Sequence, residues 1–197
     1  MQRMAVRPDA GDVLGRNTLI TGEVNTGKTT MTGELADLVC GAWEQTRIVV
    51  LDMAPTIPGD VRKQVGRAGI SGRVGFEAMS GAAVFCGGLV PPRLMSGSPA
   101  RALQLAGQNR ARIDSWLEQV LCLEPFDLLV VNDISISLQA GTVDLLVQVF
   151  DRAATVIANG YMGRTLGSGR MSEFEQSRMT ELACFFDNRV HLERVFG

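Results

Sequence analysis

The stretch "LITGEVNTGKTT", residues 19–30, constrains the fold of this 197-residue chain more than any other part of it. An apolar run leads into Gly22, and a second glycine, Gly27, is followed at once by a lysine. Apolar residues at helical spacing come next. The pattern predicts a buried strand over residues 17–20, a tight glycine loop and an amphipathic helix over residues 28–44. The chain should therefore begin with a strand–loop–helix unit.

The same alternation continues along the rest of the chain. "RIVVLD" (residues 47–52) and "FDLLVVND" (residues 126–133) are continuous apolar runs, which are typical of strands covered on both faces. Strands alternating with helices predict parallel pairing in a three-layer α/β/α fold with a mostly parallel central sheet. Further strands are predicted at residues 155–160 and near "RVHLERV", and short strands near "GRVGFEA" and "AAVFCGGLV". Helices are predicted at residues 99–121 and 139–153. A last helix is predicted to begin at a capping box formed by Ser172 and Glu175.

Composition indicates one globular domain over residues 1–197, with a Gly/Arg-rich insertion or lid at about 57–100. The hydrophobic fraction is 46% and the charged fraction 20%, which excludes a disordered chain. The net charge of −2 gives no overall field that would favour nucleic acid or a membrane surface as a partner.

The cysteines and the N-terminal segment bear on the cellular compartment. The cysteine spacings match no metal-ligand pair, and each cysteine has apolar neighbours in sequence, so we expect buried, reduced thiols. The N-terminal residues contain no apolar core of signal-peptide length, and no later apolar run approaches 18 residues. We therefore expect a cytoplasmic protein. The cysteines are Cys40, Cys86, Cys122 and Cys184.

The glycine loop fits the pattern G-x-x-x-x-G-K-[ST], in "GEVNTGKT". Glycines let successive backbone N–H groups turn inward around a phosphate chain, and the start of the following helix adds its positive dipole end. Lys28 would then reach the β- and γ-phosphates, Thr29 would complete the shell of a bound Mg²⁺, and Thr30 would meet the α-phosphate. The alternative is an ordinary glycine-containing turn. The predicted nucleotide-binding residues are Gly22, Glu23, Val24, Asn25, Thr26, Gly27, Lys28, Thr29 and Thr30.

This loop resembles the Walker A motif of the P-loop NTPase superfamily, and the resemblance covers residues 17–52 and extends to 126–133. It implies a three-layer α/β fold, a nucleoside triphosphate and Mg²⁺. It does not fix the reaction, because one fold supports many chemistries.

Members of this superfamily carry an acidic residue at the end of a second apolar strand, and "LLVVND" resembles such a Walker B strand. In one large branch the strand ends in Asp-Glu. When the two patterns are aligned, Asn132 occupies the metal-binding position and Asp133 the catalytic position. If Asp133 instead binds the metal, the position of the catalytic base is occupied by Ile134. Either interpretation departs from the arrangement of strong hydrolases.

Asp52 is a second candidate carboxylate. "LDMAP" resembles the branch of dimeric ATPase switches, certain kinases and related GTPases, in which an aspartate at this place approaches Mg²⁺ or the attacking group. Glu23 stands where the dimeric ATPases carry an extra lysine, which speaks against that branch. The other interpretation of Asp52 is a strand-end turn aspartate.

The late part of the chain bears on which nucleobase is bound and on which arginines could stabilise the charge of the phosphates. The GTPase families read guanine with Asn-Lys-x-Asp, whereas "ANGYMG" has Asn159 without the lysine or aspartate, so ATP is favoured over GTP. Tyr161 is either a packing residue or a base-stacking one. Arginines on glycine-rich loops are candidates for stabilising transferred phosphate, although most surface arginines only add solubilising charge. These candidates are Arg93, Arg101, Arg164 and Arg170.

Three hypotheses follow. The first is an Mg²⁺-dependent NTPase that uses Lys28, Thr29 and Asp133. The second is a small-molecule or nucleotide kinase with Asp52 as base, the insertion forming a pocket for an anionic acceptor. The third is a nucleotide-dependent switch or assembly factor with slow turnover and a protein partner.

Overall fold

The computed structural model describes residues 8–43, 46–57, 79, 81–163, 165–166 and 169–193. The strands in these residues are β1 (Asn17–Gly22), β2 (Ile48–Asp52), β3 (Ala83–Cys86), β4 (Phe126–Asn132), β5 (Ala153–Tyr161) and β6 (Asn188–Leu192). The α-helices are α1 (Ala10–Val13), α2 (Lys28–Ala42), α3 (Pro92–Met95), α4 (Pro99–Leu121), α5 (Asp144–Phe150) and α6 (Arg170–Ala183). A 3₁₀-helix spans Ile134–Gln139.

The six strands form one sheet in the order β3-β2-β4-β5-β1-β6, and every strand pair in it is parallel. Side chains alternate between its faces: Val49 and Leu51 join the apolar cluster under α4, α5 and α6, whereas Ile48 and Val50 join the cluster under α2. Helices therefore cover both faces, and the predicted three-layer α/β/α fold with a parallel sheet is confirmed.

The strand order places β5 between β1 and β4. The carboxyl ends of β1, β4 and β5 therefore lie side by side, with the glycine loop at one end of this row. Ligands of open α/β sheets bind at this edge. The fold thus brings the two predicted motifs to the same side of the molecule.

The segment after β4 differs from the prediction. A helix was expected over residues 139–153, but the 3₁₀-helix Ile134–Gln139 comes first and α5 covers only Asp144–Phe150. All six residues of the 3₁₀-helix are buried. Packing on all sides, and not one apolar face of a longer helix, therefore accounts for the apolar residues of this segment. Ala153 already belongs to β5.

The predicted capping box of the last helix is wrong. α6 begins at Arg170 after Gly169, so Ser172 and Glu175 lie inside the helix. Their side chains bond to Arg93 instead of to the backbone at the helix start. A long-range contact thus replaces the local one that the sequence suggested.

The cysteines are free, but the expectation that they are buried is wrong. Cys40 is half-buried, and Cys86, Cys122 and Cys184 are exposed. Apolar neighbours in sequence did not indicate burial because a strand or helix turns adjacent residues to different faces.

In the central region, β3 confirms a strand in "AAVFCGGLV". The strand expected near "GRVGFEA" lies outside the described residues, as does most of the predicted insertion. None of the described helices has the length and apolar character needed to span a bilayer.

Candidate functional site

The loop between β1 and α2 depends on its two glycines. Gly22 has φ of 152°, and a Cβ at this position would collide with the Leu192 carbonyl oxygen of β6. Gly27 precedes α2 with φ of 85°, a left-handed conformation that glycine adopts without strain. The chain can therefore make this loop only because these positions lack side chains.

Lys28 begins α2 and turns back over the loop. Its Nζ donates to the Glu23 carbonyl oxygen at 2.5 Å. Burial lowers the pKa of Lys28, while the carboxylates of Asp133 and Glu23 act in the opposite direction. The ammonium group therefore lies between the loop and the carboxyl end of β4.

A hydrogen-bond chain joins α2 to the ends of two strands. The Thr29 hydroxyl donates to Asn132 Oδ1 at 3.3 Å, and Asn132 Nδ2 donates to Asp52 Oδ1 at 2.8 Å. Asp52 is only 3% exposed and also accepts from the Ala54 N–H. The structure thus brings together two strand ends that the sequence offered as rival carboxylate sites.

Asn159, in β5, completes this chain. Its Nδ2 donates to Asn132 Oδ1 and to the Thr32 hydroxyl, both at 2.8 Å, and its Oδ1 accepts from the Asp133 N–H at 3.1 Å. Sequence reasoning considered Asn159 only for guanine recognition and missed this bridging role. The available signal was a polar residue in an apolar strand, since buried polar groups need partners.

Asp133 differs from its neighbours. Its backbone is left-handed, with φ of 60°, and its carboxylate accepts no hydrogen bond from the part of the chain that the structure describes. Burial raises the pKa of Asp133 to about 6, while Lys28 opposes the rise. An acid with a shifted pKa in a cleft is a candidate functional group.

Lys28, Thr29, Asp133 and Asn159 line a cavity of about 680 Å³, whereas Asp52 and Asn132 are not in its lining. Of the predicted arginines, Arg93 lines the cavity, whereas Arg101 is exposed and bonds to Gln104 on α4. Arg170 is exposed and not in the lining, and Arg164 lies outside the described residues. Tyr161 lines the cavity, with its hydroxyl accepting from Leu166 N–H at 2.9 Å. The loop contributes Val24, Asn25, Thr26, Gly27, Lys28, Thr29 and Thr30 to the wall.

Two further cavity residues were not predicted to line the site. Glu175 is 2% exposed and pairs with Arg93 at 2.5 Å, and Gln139 Nε2 donates to Glu175 Oε1 at 3.1 Å. The partners of Glu175 are 82 and 36 residues away in sequence, so no local pattern pointed to them.

The described residues contain no group of three or more His, Cys, Asp or Glu side chains that could hold a metal ion. Thr29 and Asp133, which line the cavity, carry oxygen atoms of the kind that Mg²⁺ binds together with the phosphates of a nucleotide.

No family model and no curated protein matches the sequence. The structure is similar to that of the flagellar accessory protein FlaH from Methanocaldococcus jannaschii, with 16% identity, a TM-score of 0.52 and coverage of 95% of this chain and 76% of that one. A second similar structure is an ATPase from the type III secretion system of pathogenic bacteria, with 13% identity, a TM-score of 0.47 and coverage of 96% of this chain and 55% of that one. This second TM-score is too low to support a conclusion about the fold. The first is a likeness of fold alone, and it agrees with the three-layer α/β/α fold described above.

Proposed function

We propose that this protein binds a nucleoside triphosphate, ATP in preference to GTP, at the loop before α2 and hydrolyses it with Mg²⁺. One observation carries the proposal. The glycine loop, Lys28, Thr29 and Asp133 line the same cavity. This is the set of groups that a polyphosphate and its metal require.

The loop supplies the phosphate-binding groups. The N-terminus of α2, a helix of 15 residues, directs its free N–H groups and dipole toward the cavity edge. Lys28 would exchange the Glu23 carbonyl for phosphate oxygens. A carbonyl oxygen is a neutral acceptor, whereas a phosphate oxygen carries negative charge, so phosphate is the stronger hydrogen-bond partner for this ammonium group.

The side chains present suit Mg²⁺, which prefers oxygen ligands. Thr29 would offer its hydroxyl, and Asp133 would offer a carboxylate that no described residue occupies with a hydrogen bond. Asn132, the other predicted metal residue, is outside the cavity wall and its Oδ1 already accepts from Thr29 and Asn159, so it would position Thr29 rather than contact the ion. The ion, when bound with the nucleotide, would neutralise negative charge on the phosphates.

Asp133 would also orient the attacking water by accepting a hydrogen bond from it. In the metal-free protein its pKa is raised to about 6, so the carboxylate is largely ionised at neutral pH and able to accept that bond. We assign Asp52 a positioning role instead. It is outside the cavity wall, and its Oδ1 is already engaged by Asn132 and by the Ala54 N–H.

A kinase is the second candidate, because the cavity extends past the loop to Arg93, Gln139 and Glu175. Such space would hold a phosphate acceptor and exclude water. A nucleotide-dependent switch remains the third candidate, distinguished by tight binding with slow turnover.

Calorimetry with Mg-ATP and Mg-GTP tests the binding step. Lys28→Ala should abolish binding, whereas Arg101→Ala, which removes an exposed cation outside the cavity, should leave the affinity unchanged. Equal affinity in the wild type and Lys28→Ala would remove the site assignment. Incubation with γ-labelled ATP, with and without a metabolite library, then separates released from transferred phosphate.

A further inference from the structure

An acidic residue stands in the loop that is proposed to bind a polyanion. Glu23 follows Gly22, and its backbone carbonyl accepts from Lys28 Nζ at 2.5 Å and from the Thr26 hydroxyl at 2.9 Å. Residues 24–30 line the cavity, whereas Glu23 is not among the described residues of the lining. The backbone of Glu23 therefore belongs to the phosphate loop, but its side chain is placed outside the cavity.

The connection between β5 and α6 holds this side chain. The Thr165 hydroxyl donates to Glu23 Oε2 at 2.5 Å. The carboxylate also packs against Gly163, where an added Cβ would lie 2.5 Å from Oε1 and 2.6 Å from Oε2. A larger residue at this position would displace the carboxylate, so the missing side chain of Gly163 provides its space.

The same connection is attached to its neighbours on two sides. The Met162 N–H donates to the Gly22 carbonyl of β1 at 3.2 Å, and the Gly163 carbonyl accepts from Gln176 Nε2 of α6 at 2.9 Å. Thr165 itself lines the cavity. The place of the Glu23 carboxylate is therefore set by a segment that is bonded to both β1 and α6.

The position of this carboxylate matters because Lys28 is close to it. Burial lowers the pKa of Lys28, whereas the Asp133 and Glu23 carboxylates raise it. A Glu23 side chain that turned toward Lys28 would compete with phosphate for the ammonium group, and its charge would repel the phosphate oxygens. Phosphate binding at this loop therefore requires that the carboxylate be held elsewhere.

We propose that Gly163 and Thr165 hold the Glu23 carboxylate out of the cavity, which makes them positioning residues for binding of a triphosphate group. This inference rests on the proposed nucleotide function. It deepens that proposal by explaining how a loop with an acidic side chain accepts a polyanion.

Calorimetry with Mg-ATP and with Mg-tripolyphosphate, which has no nucleoside, tests the inference. Gly163→Ala should weaken both ligands at least about fivefold, because the displaced carboxylate turns toward Lys28. In a Glu23→Gln background the same glycine substitution should weaken them less than about twofold, since the displaced side chain carries no charge. Gly107→Ala, on α4 with open space around it, is the matched control and should leave both affinities unchanged.

Salt separates a charge effect from structural damage. The ratio of the wild-type affinity to the Gly163→Ala affinity should fall as the salt concentration rises from about 50 mM to about 500 mM, because salt screens the repulsion. A loss caused by a distorted loop would keep the same ratio, and that result would overturn the inference.

Thr165 offers a second pair of variants. Thr165→Val removes the hydroxyl donor and should weaken both ligands at least about threefold, whereas Thr165→Ser keeps the donor and should restore the wild-type affinity. If Gly163→Ala does not fold, the Thr165 variants, alone and in the Glu23→Gln background, decide the outcome.

The outcomes distinguish this inference from the proposed function. Wild-type binding that neither Gly163→Ala nor Thr165→Val weakens, a loss that Glu23→Gln does not relieve, or a loss confined to Mg-ATP would overturn the inference and leave the proposed function standing. A wild type that binds neither ligand would overturn the proposed function, and this inference with it.

Discussion

Replacing Asp133 by asparagine should stabilise the folded protein at neutral pH while impairing turnover. Burial disfavours the ionised carboxylate, and no described residue donates a hydrogen bond to it. Asparagine has nearly the same shape, carries no charge and tolerates the left-handed backbone at φ of 60°. The substitution therefore removes an electrostatic cost without creating backbone strain.

The magnitude follows from the pKa of Asp133, which rises from 3.8 to about 6 on folding. Above pH 6 the folded state holds a charge that the unfolded state carries more easily. Each pKa unit corresponds to about 1.36 kcal/mol, so ionisation costs the fold about 3 kcal/mol at pH 7 and above. As the pH falls from 6 to 3.8, the folded carboxyl binds a proton first and the cost disappears.

Urea unfolding of the nucleotide-free protein between pH 4 and pH 8 measures this effect. Asp133→Asn should exceed the wild type by about 3 kcal/mol at pH 8, by about half as much near pH 5, and by only about 0.5 kcal/mol at pH 4. Asp37→Asn, at an exposed site on α2, should stay within about 0.5 kcal/mol of the wild type throughout.

A pH-independent difference, or a less stable Asp133→Asn protein at pH 8, would refute the reasoning. In parallel, Asp133→Asn should lose turnover more than Mg-ATP affinity. Such a gain in stability with a loss of activity is the signature of a charge kept for function. Normal turnover in Asp133→Asn with none in Asp52→Asn would move the catalytic carboxylate to β2.

The other predictions concern the loop and the strand ends. Gly22→Ala should destabilise the fold by about 1–3 kcal/mol and abolish nucleotide binding, because its Cβ would meet the Leu192 carbonyl. Gly107→Ala, on α4 with open space around it, should instead stabilise by about 0.5–1 kcal/mol in the same urea assay, and the opposite order would contradict the steric argument. Asn159→Leu should cost about 1–3 kcal/mol because it removes the acceptor of the Asp133 N–H and one of the donors to Asn132 Oδ1, and an unchanged unfolding free energy would show that this bridge is dispensable.

The sequence alone determined the first strand, the glycine loop and the helix after it. This was possible because the signals are local: glycines at two positions with positive φ, an apolar strand before them and helical periodicity behind them. The alternation of strands and helices also predicted the parallel sheet and its three layers. Alternating apolar segments have few other ways to bury their faces.

Only the tertiary structure decided how the strand ends meet. Asn132 and Asp52 are 80 residues apart, and Arg93 and Glu175 are 82 apart, so each contact depends on strand order and helix placement. Local pattern does not encode that order. For this reason the sequence predicted Glu175 as part of a helix cap, and it offered Asp52 and Asp133 as alternatives, whereas the structure places both in one hydrogen-bonded site.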